Sequence, residues 1–137
     1  MTGIVFGMAL TAAVLFGTSA PLVAHHGAAS FDTGKELVLK GTVTDWIWSN
    51  PHCFLKFDVK DESGTRSWMV ETQNPTDMSR RGFARTSFKP GDSVTVTVEP
   101  LKNGLPVGRI KSVVLANGQT LVAIAGAAPP APPQPAR

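Results

Sequence analysis

From Leu37 onward, apolar side chains recur at every second position, the period of a half-buried β-strand. Leu37, Leu39, Val43 and Ile47 fall on one face, with Lys40, Thr42 and Thr44 on the other. Gly41 in the middle of this run predicts a bulge or sharp bend, as where one strand of a barrel serves two sheets. Asn50-Pro51 ends the run. A second strand is predicted from about Cys53 to Lys60, where Cys53, Leu55, Phe57 and Val59 alternate with Phe54, Lys56, Asp58 and Lys60. Asp61-Glu62-Ser63-Gly64 has the composition of a hairpin turn. The third strand runs from about Arg66 to Thr72, with Trp68 and Val70 facing one way and Ser67, Met69 and Glu71 the other.

Asn74 followed by Pro75 is a helix start, with Asn as N-cap and Pro at the first helical position. Met78 and Phe83 would dock this short helix, and Gly82 would end it. After a turn at Lys89-Pro90-Gly91-Asp92, Val94, Val96 and Val98 mark a fourth strand from Ser93 to Glu99. Pro100 to Gly108 is a Gly/Pro loop, Arg109 to Leu115 a fifth strand, and Asn117-Gly118 a hairpin signal before a return over Gln119 to Ile124. Three meandering strands, a short helix and then two or three strands is the element order of the OB barrel. The expected fold is therefore mainly β: a small OB-like antiparallel β-barrel with one short helix between strands 3 and 4. A generic small antiparallel barrel or sandwich is the alternative.

The ends of the chain have a different character. Ile4 to Phe16 is an apolar run followed by the small-residue stretch GTSAPLVA, the shape of a secretory signal segment. Pro21 disfavours a cut after Ala20, so a cut after Ala24 is expected. This divides the chain into a signal peptide (1–24), an N-terminal arm (25–35), the barrel domain (36–125) and a Pro/Ala-rich tail (126–137) that is polyproline-like or disordered. The expected location is the periplasm. The alternative is an uncleaved anchor in the inner membrane, because Thr2 to Ala24 carries no charge.

The net charge of +3 is mild and mixed in sign, which argues against a dedicated nucleic-acid binder. A single cysteine, Cys53, allows no internal disulfide, and its parity with Leu55 and Phe57 predicts a buried structural thiol. No Ser-His-Asp order, paired-carboxylate motif, CxxC or Gly-rich phosphate loop occurs, so an enzyme is not expected.

HHGAASFD, GTVTDWIWSNPHCFLKFDV, WMVETQNP, RRGF and FKPGDSVTVTVEPLKNG together resemble a family of uncharacterised small bacterial exported proteins. The likeness covers about residues 25–121. Its elements fall on His25, His26, Phe31, Asp32, Trp48, Asn50, Pro51, His52, Trp68, Glu71, Pro75, Gly82, Pro90, Gly91 and Asp92. Gly27 and Cys53 depart from the pattern, which usually has Ser and an aliphatic residue there. The resemblance implies an exported location and supplies no activity.

Two sets of residues suggest chemistry. A cut after Ala24 would make His25 the N-terminal residue, joining its α-amine and imidazole in one chelate. A second imidazole from His26 or His52 would complete a three-nitrogen site suited to Cu(II) or Ni(II), with copper or zinc the ions expected in a periplasm. The same His pair also fits a merely solvated arm. Trp46, Trp48, His52 and Phe54 cluster at the corner between strands 1 and 2, and the alternation points the aromatics away from the Leu/Val stripe. They read either as an exposed ligand-binding patch or as a second small core completed by the arm or helix. Glu71 reads as a helix-capping group or an ion ligand, and Arg80, Arg81, Arg85 and Lys89 as a solvated basic face or, alternatively, a contact for an anionic glycan, lipid head group or nucleic acid. The leading expectation is a non-enzymatic periplasmic binding or accessory protein holding a metal ion or small ligand. The alternative is an envelope interaction protein that contacts a partner protein or envelope polymer through the barrel face without metal.

Overall fold

The computed structural model describes Gly27 and residues 30–124. The elements are β1 (Leu37–Ile47), β2 (Phe54–Asp61), β3 (Gly64–Glu71), α1 (Pro75–Arg80), β4 (Ser93–Pro100), β5 (Val107–Leu115) and β6 (Thr120–Val122). The strands follow the order β3-β2-β1-β4-β5-β6, and an additional β3–β5 pairing closes β1 to β5 into a barrel. The OB-like order read from the sequence is therefore the one adopted. The closing ladder, Met69–Val107 to Glu71–Arg109, is parallel, and the other ladders are antiparallel.

Two irregularities let five short strands close. Gly41 sits where β1 turns from β4 toward β2, and a Cβ there would lie 2.5 Å from the Asp58 carbonyl oxygen. Only glycine permits that approach without moving one of the strands. The second is a β-bulge: Val43 pairs with Phe57, but the next pair is Asp45 with Lys56. Thr44 is thus an extra residue, and the strand's side-chain parity reverses beyond it. Trp46 then stands opposite the fully buried Leu55 on the core side, and Ile47 stands opposite Phe54 on the outer side. This corrects the simple alternation, which put Ile47 in the core stripe and Trp46 outside it.

The interior is filled by Val43, Leu55, Phe57, Val70, Val96, Val98, Ile110 and Val113, each 0–1 % exposed. The connection from β3 to β4 adds Met78, Phe83 and Phe88 to the same core. Asn74 caps α1 by accepting from the Asp77 amide at 3.0 Å and donating its side-chain NH2 to the Asp77 carboxylate at 2.8 Å. Gly82, at φ +84°, follows the helix and lets the chain turn back, so Phe83 donates to the Met78 carbonyl.

The described part of the arm packs against the loop after β4. Phe31 bridges to Leu101, and its ring lies 5.1 Å beneath the Arg109 guanidinium. Arg109 also donates from Nε and Nη2 to one oxygen of the buried Glu99, at 3.0 and 2.5 Å. Lys111 is the extra residue of a second bulge, between the Thr97–Ser112 and Val98–Ile110 pairs, and forms an ion pair with Glu36.

Candidate functional site

Residues 48–53 form the corner between β1 and β2, and the far end of β3 holds them in place. The Asn50–Pro51 peptide is cis. The Cys53 amide donates to the Gln73 carbonyl at 3.1 Å, and the Thr72 amide donates back to the Cys53 carbonyl at 2.9 Å. The Ser49 hydroxyl donates to the His52 carbonyl at 3.2 Å. His52 Nδ1 lies 2.8 Å from the Thr72 carbonyl oxygen. A carbonyl only accepts, so Nδ1 is the donor in this contact. The ring orientation of His52 is thereby set by main chain.

The four aromatic residues assigned to this corner fall into two groups. Trp46 donates its indole N–H to the Ala84 carbonyl at 3.0 Å and packs edge-on to Phe88, with ring centres 4.9 Å apart. Trp48 lies 5.6 Å from Trp46, and Phe83 lies 6.4 Å from it. Both tryptophans are half-buried and pack against the main core, beside Phe83 and Phe88 of the β3–β4 connection. His52 and Phe54 lie on the other side. Their rings are 6.5 Å apart and edge-on, and Phe54 begins the outer face of β2. The bulge at Thr44 separates the two groups.

Along that outer face, register pairs Phe54 with Glu71, Lys56 with Met69, and Asp58 with Ser67. Half-buried Ile47 joins them from β1. Beside this strip runs a groove of about 450 Å3 lined by Thr44, Lys56, Asp58, Ser67, Met69 and Val107, among others. Its polar side chains are already oriented: Ser67 donates to Asp58 at 2.6 Å, and Lys56 lies 3.9 Å from Asp45. Met69 is a large apolar residue exposed to about a third. Met69 was legible as outward from parity alone; Val107 was not, because the loop from Pro100 to Gly108 gives no periodicity to read.

His25 and His26, the main carriers of the expected copper or zinc site, lie outside the described residues. Among the described residues, no group of three His, Cys, Asp or Glu side chains is placed to hold a metal ion. In the corner before β2, His52 is half-buried and Cys53 fully buried. Burial pushes the Cys53 thiol above the usual range, as befits a thiol packed in the core. Arg80, Arg81, Arg85 and Lys89 are all exposed, with Arg80 3.6 Å from Asp77. Asn74 and Asp77 cap the helix, while Glu71 sits on the outer face opposite Phe54.

No curated protein and no solved structure matches the chain. The model of a family of unknown function, DUF6152, matches residues 13–110. That span takes in β1 to β4, α1 and the start of β5, and the chain belongs to this family.

Proposed function

We propose that this protein is an exported, non-enzymatic binding module that holds a small polar ligand or an envelope glycan strand on the outer face of β2 and β3. The observation that carries the reading is the strip of Ile47, Phe54 and Met69 beside the 450 Å3 groove, headed by a histidine whose orientation main chain sets. Apolar faces for sugar rings or aliphatic segments alternate there with Lys56, Asp58 and Ser67, which supply donors and acceptors. The signal-like residues 1–24 support the periplasm as the location. Trp46 and Trp48 stiffen the corner from behind, and His52 and Phe54 meet the ligand.

The test is an amide NMR titration of the protein with soluble peptidoglycan glycan fragments. Shifts confined to Phe54, Lys56, Met69 and Val107, and weakened at least tenfold by Phe54→Ala with Met69→Ala, are the expected result. Shifts scattered over the surface, or unaltered by the double variant, would sink the reading.

A second reading keeps the metal. The Nδ1–H bond of His52 to a carbonyl is the arrangement that commonly orients a metal-binding imidazole. With His25 and His26 supplied by the arm, it would bind Cu(II). Binding no tighter than to a free His-His-Gly peptide, and unchanged by His52→Ala, would remove this reading. Binding of the glycan fragments that survives chelator treatment would leave the first one standing.

A further inference from the structure

A second cavity, about 210 Å3, opens where the Asp32–Lys35 turn, the start of β1 and the loop from Leu101 to Pro106 meet. Its walls are Leu37, Leu101, Leu105 and the indole of Trp68, of which Leu101 and Trp68 are 4 % and 6 % exposed. The charged residues around it are Lys35, Arg66 and Lys102, with Asp32 as the one carboxylate. Lys35 and Arg66 against the single carboxylate of Asp32 at an apolar hollow make a potential that favours a negative guest.

The hollow is held in shape by main chain. The Asp32 amide donates to the Pro100 carbonyl at 2.9 Å, and the Lys102 amide donates to the Ser30 carbonyl at 3.1 Å. The Lys35 amide closes its turn on the Asp32 carbonyl at 3.0 Å. Arg66 spends one N–H on the Gly104 carbonyl at 2.8 Å, and its guanidinium lies 5.9 Å over Trp68. A guanidinium has five N–H donors, so this anchoring orients the group while further donors remain for a carboxylate.

We infer that this cavity binds a small organic monocarboxylate with a compact ring. Size supports it: an apolar cavity of about 150 Å3 holds benzene, and ~210 Å3 adds room for a carboxylate. The ring would lie against Trp68, Leu37 and Leu101, and the carboxylate would meet Arg66 and Lys35. This inference is independent of the reading given for the outer face, whose groove shares only Trp68 with this cavity.

Benzoate is the probe, titrated at low salt into the purified full chain and followed by amide NMR. Expected are saturable shifts at Leu37, Lys102 and Gly104, binding at least tenfold weaker for the neutral isostere benzamide, and a loss of at least fivefold in Lys35→Gln and tenfold in Arg66→Gln. Lys35→Gln matters because the Lys35 side chain makes none of the hydrogen bonds that hold the loop. Equal binding of benzamide would overturn the inference, as would shifts away from the cavity. Inorganic phosphate binding at the same residues as tightly as benzoate would overturn it too, leaving a simple ion site.

Discussion

Gly41→Ala tests whether the barrel closes for the reason given. The added Cβ would lie 2.5 Å from the Asp58 carbonyl oxygen and 2.8 Å from Cδ2 of Phe57. Restoring ordinary contact at ~3.4 Å requires β1 and β2 to part by about 0.9 Å at a point where both are fixed by further neighbours. Overpacking of this kind costs roughly 1–3 kcal/mol. Weakening the adjacent ladder hydrogen bond adds about 1 kcal/mol. Removing a glycine restricts the unfolded chain and offsets roughly 0.4–1 kcal/mol. The net is about 2 kcal/mol of lost stability. With a urea slope near ~1.5 kcal/mol/M the midpoint should fall by about 1.3 M, and the thermal midpoint by roughly 8–16 °C. Tryptophan fluorescence reads both, because Trp46, Trp48 and Trp68 all pack in or against the core. Gly34→Ala is the control, since its Cβ would meet nothing closer than Asp32 Oδ1 at 3.8 Å. It should leave the midpoint unchanged or slightly raised. Equal midpoints for the two variants would refute the close-approach argument.

Two further outcomes are expected. Glu99→Gln removes a buried carboxylate that takes two Arg109 hydrogen bonds, and should cost about 1.5–3 kcal/mol in urea denaturation, against well under ~1 kcal/mol for the exposed Glu36→Gln; similar costs for both would show that the buried pair contributes nothing particular. Burial raises the Cys53 thiol in the folded chain, so the unfolded chain ionises first. Its stabilising contribution is fully present below the ordinary thiol range, about 8.5, and is lost as pH rises through the raised folded value. The stability of the wild type minus that of Cys53→Val should therefore decline from pH 8 to 10, and a flat difference would contradict the assignment.

Most of the fold was legible because each element carries its own local signal. Alternating valines mark β4, Asn74-Pro75 marks the helix start, and Asn117-Gly118 marks the last hairpin. Gly41 showed that β1 bends, since only a close backbone approach calls for glycine in mid-strand. The bulge at Thr44 has no such mark: a threonine is as good in a regular strand as in an irregular one, and nothing local announces that parity reverses there. One unseen residue therefore moved Trp46 inward and Ile47 outward and divided the expected aromatic corner. The hydrogen bond from His52 to Thr72 and the meeting of Lys35, Arg66 and Lys102 were equally unreadable. They join segments far apart in the chain, and periodicity carries no information about such pairings.

The parallel seam between β3 and β5 has a consequence for the order of assembly. It joins Met69 to Val107 and Glu71 to Arg109, segments 38 residues apart, through the shortest ladder of the barrel. The meander of β1, β2 and β3 needs only neighbouring hairpins, whereas the barrel cannot close until the chain beyond Pro106 is available. Until then β3 offers a bare edge, with Met69 exposed beside it. A chain interrupted before Val107 would thus be an open sheet prone to pairing with its own kind. The same few residues that complete the barrel also end its vulnerability to aggregation.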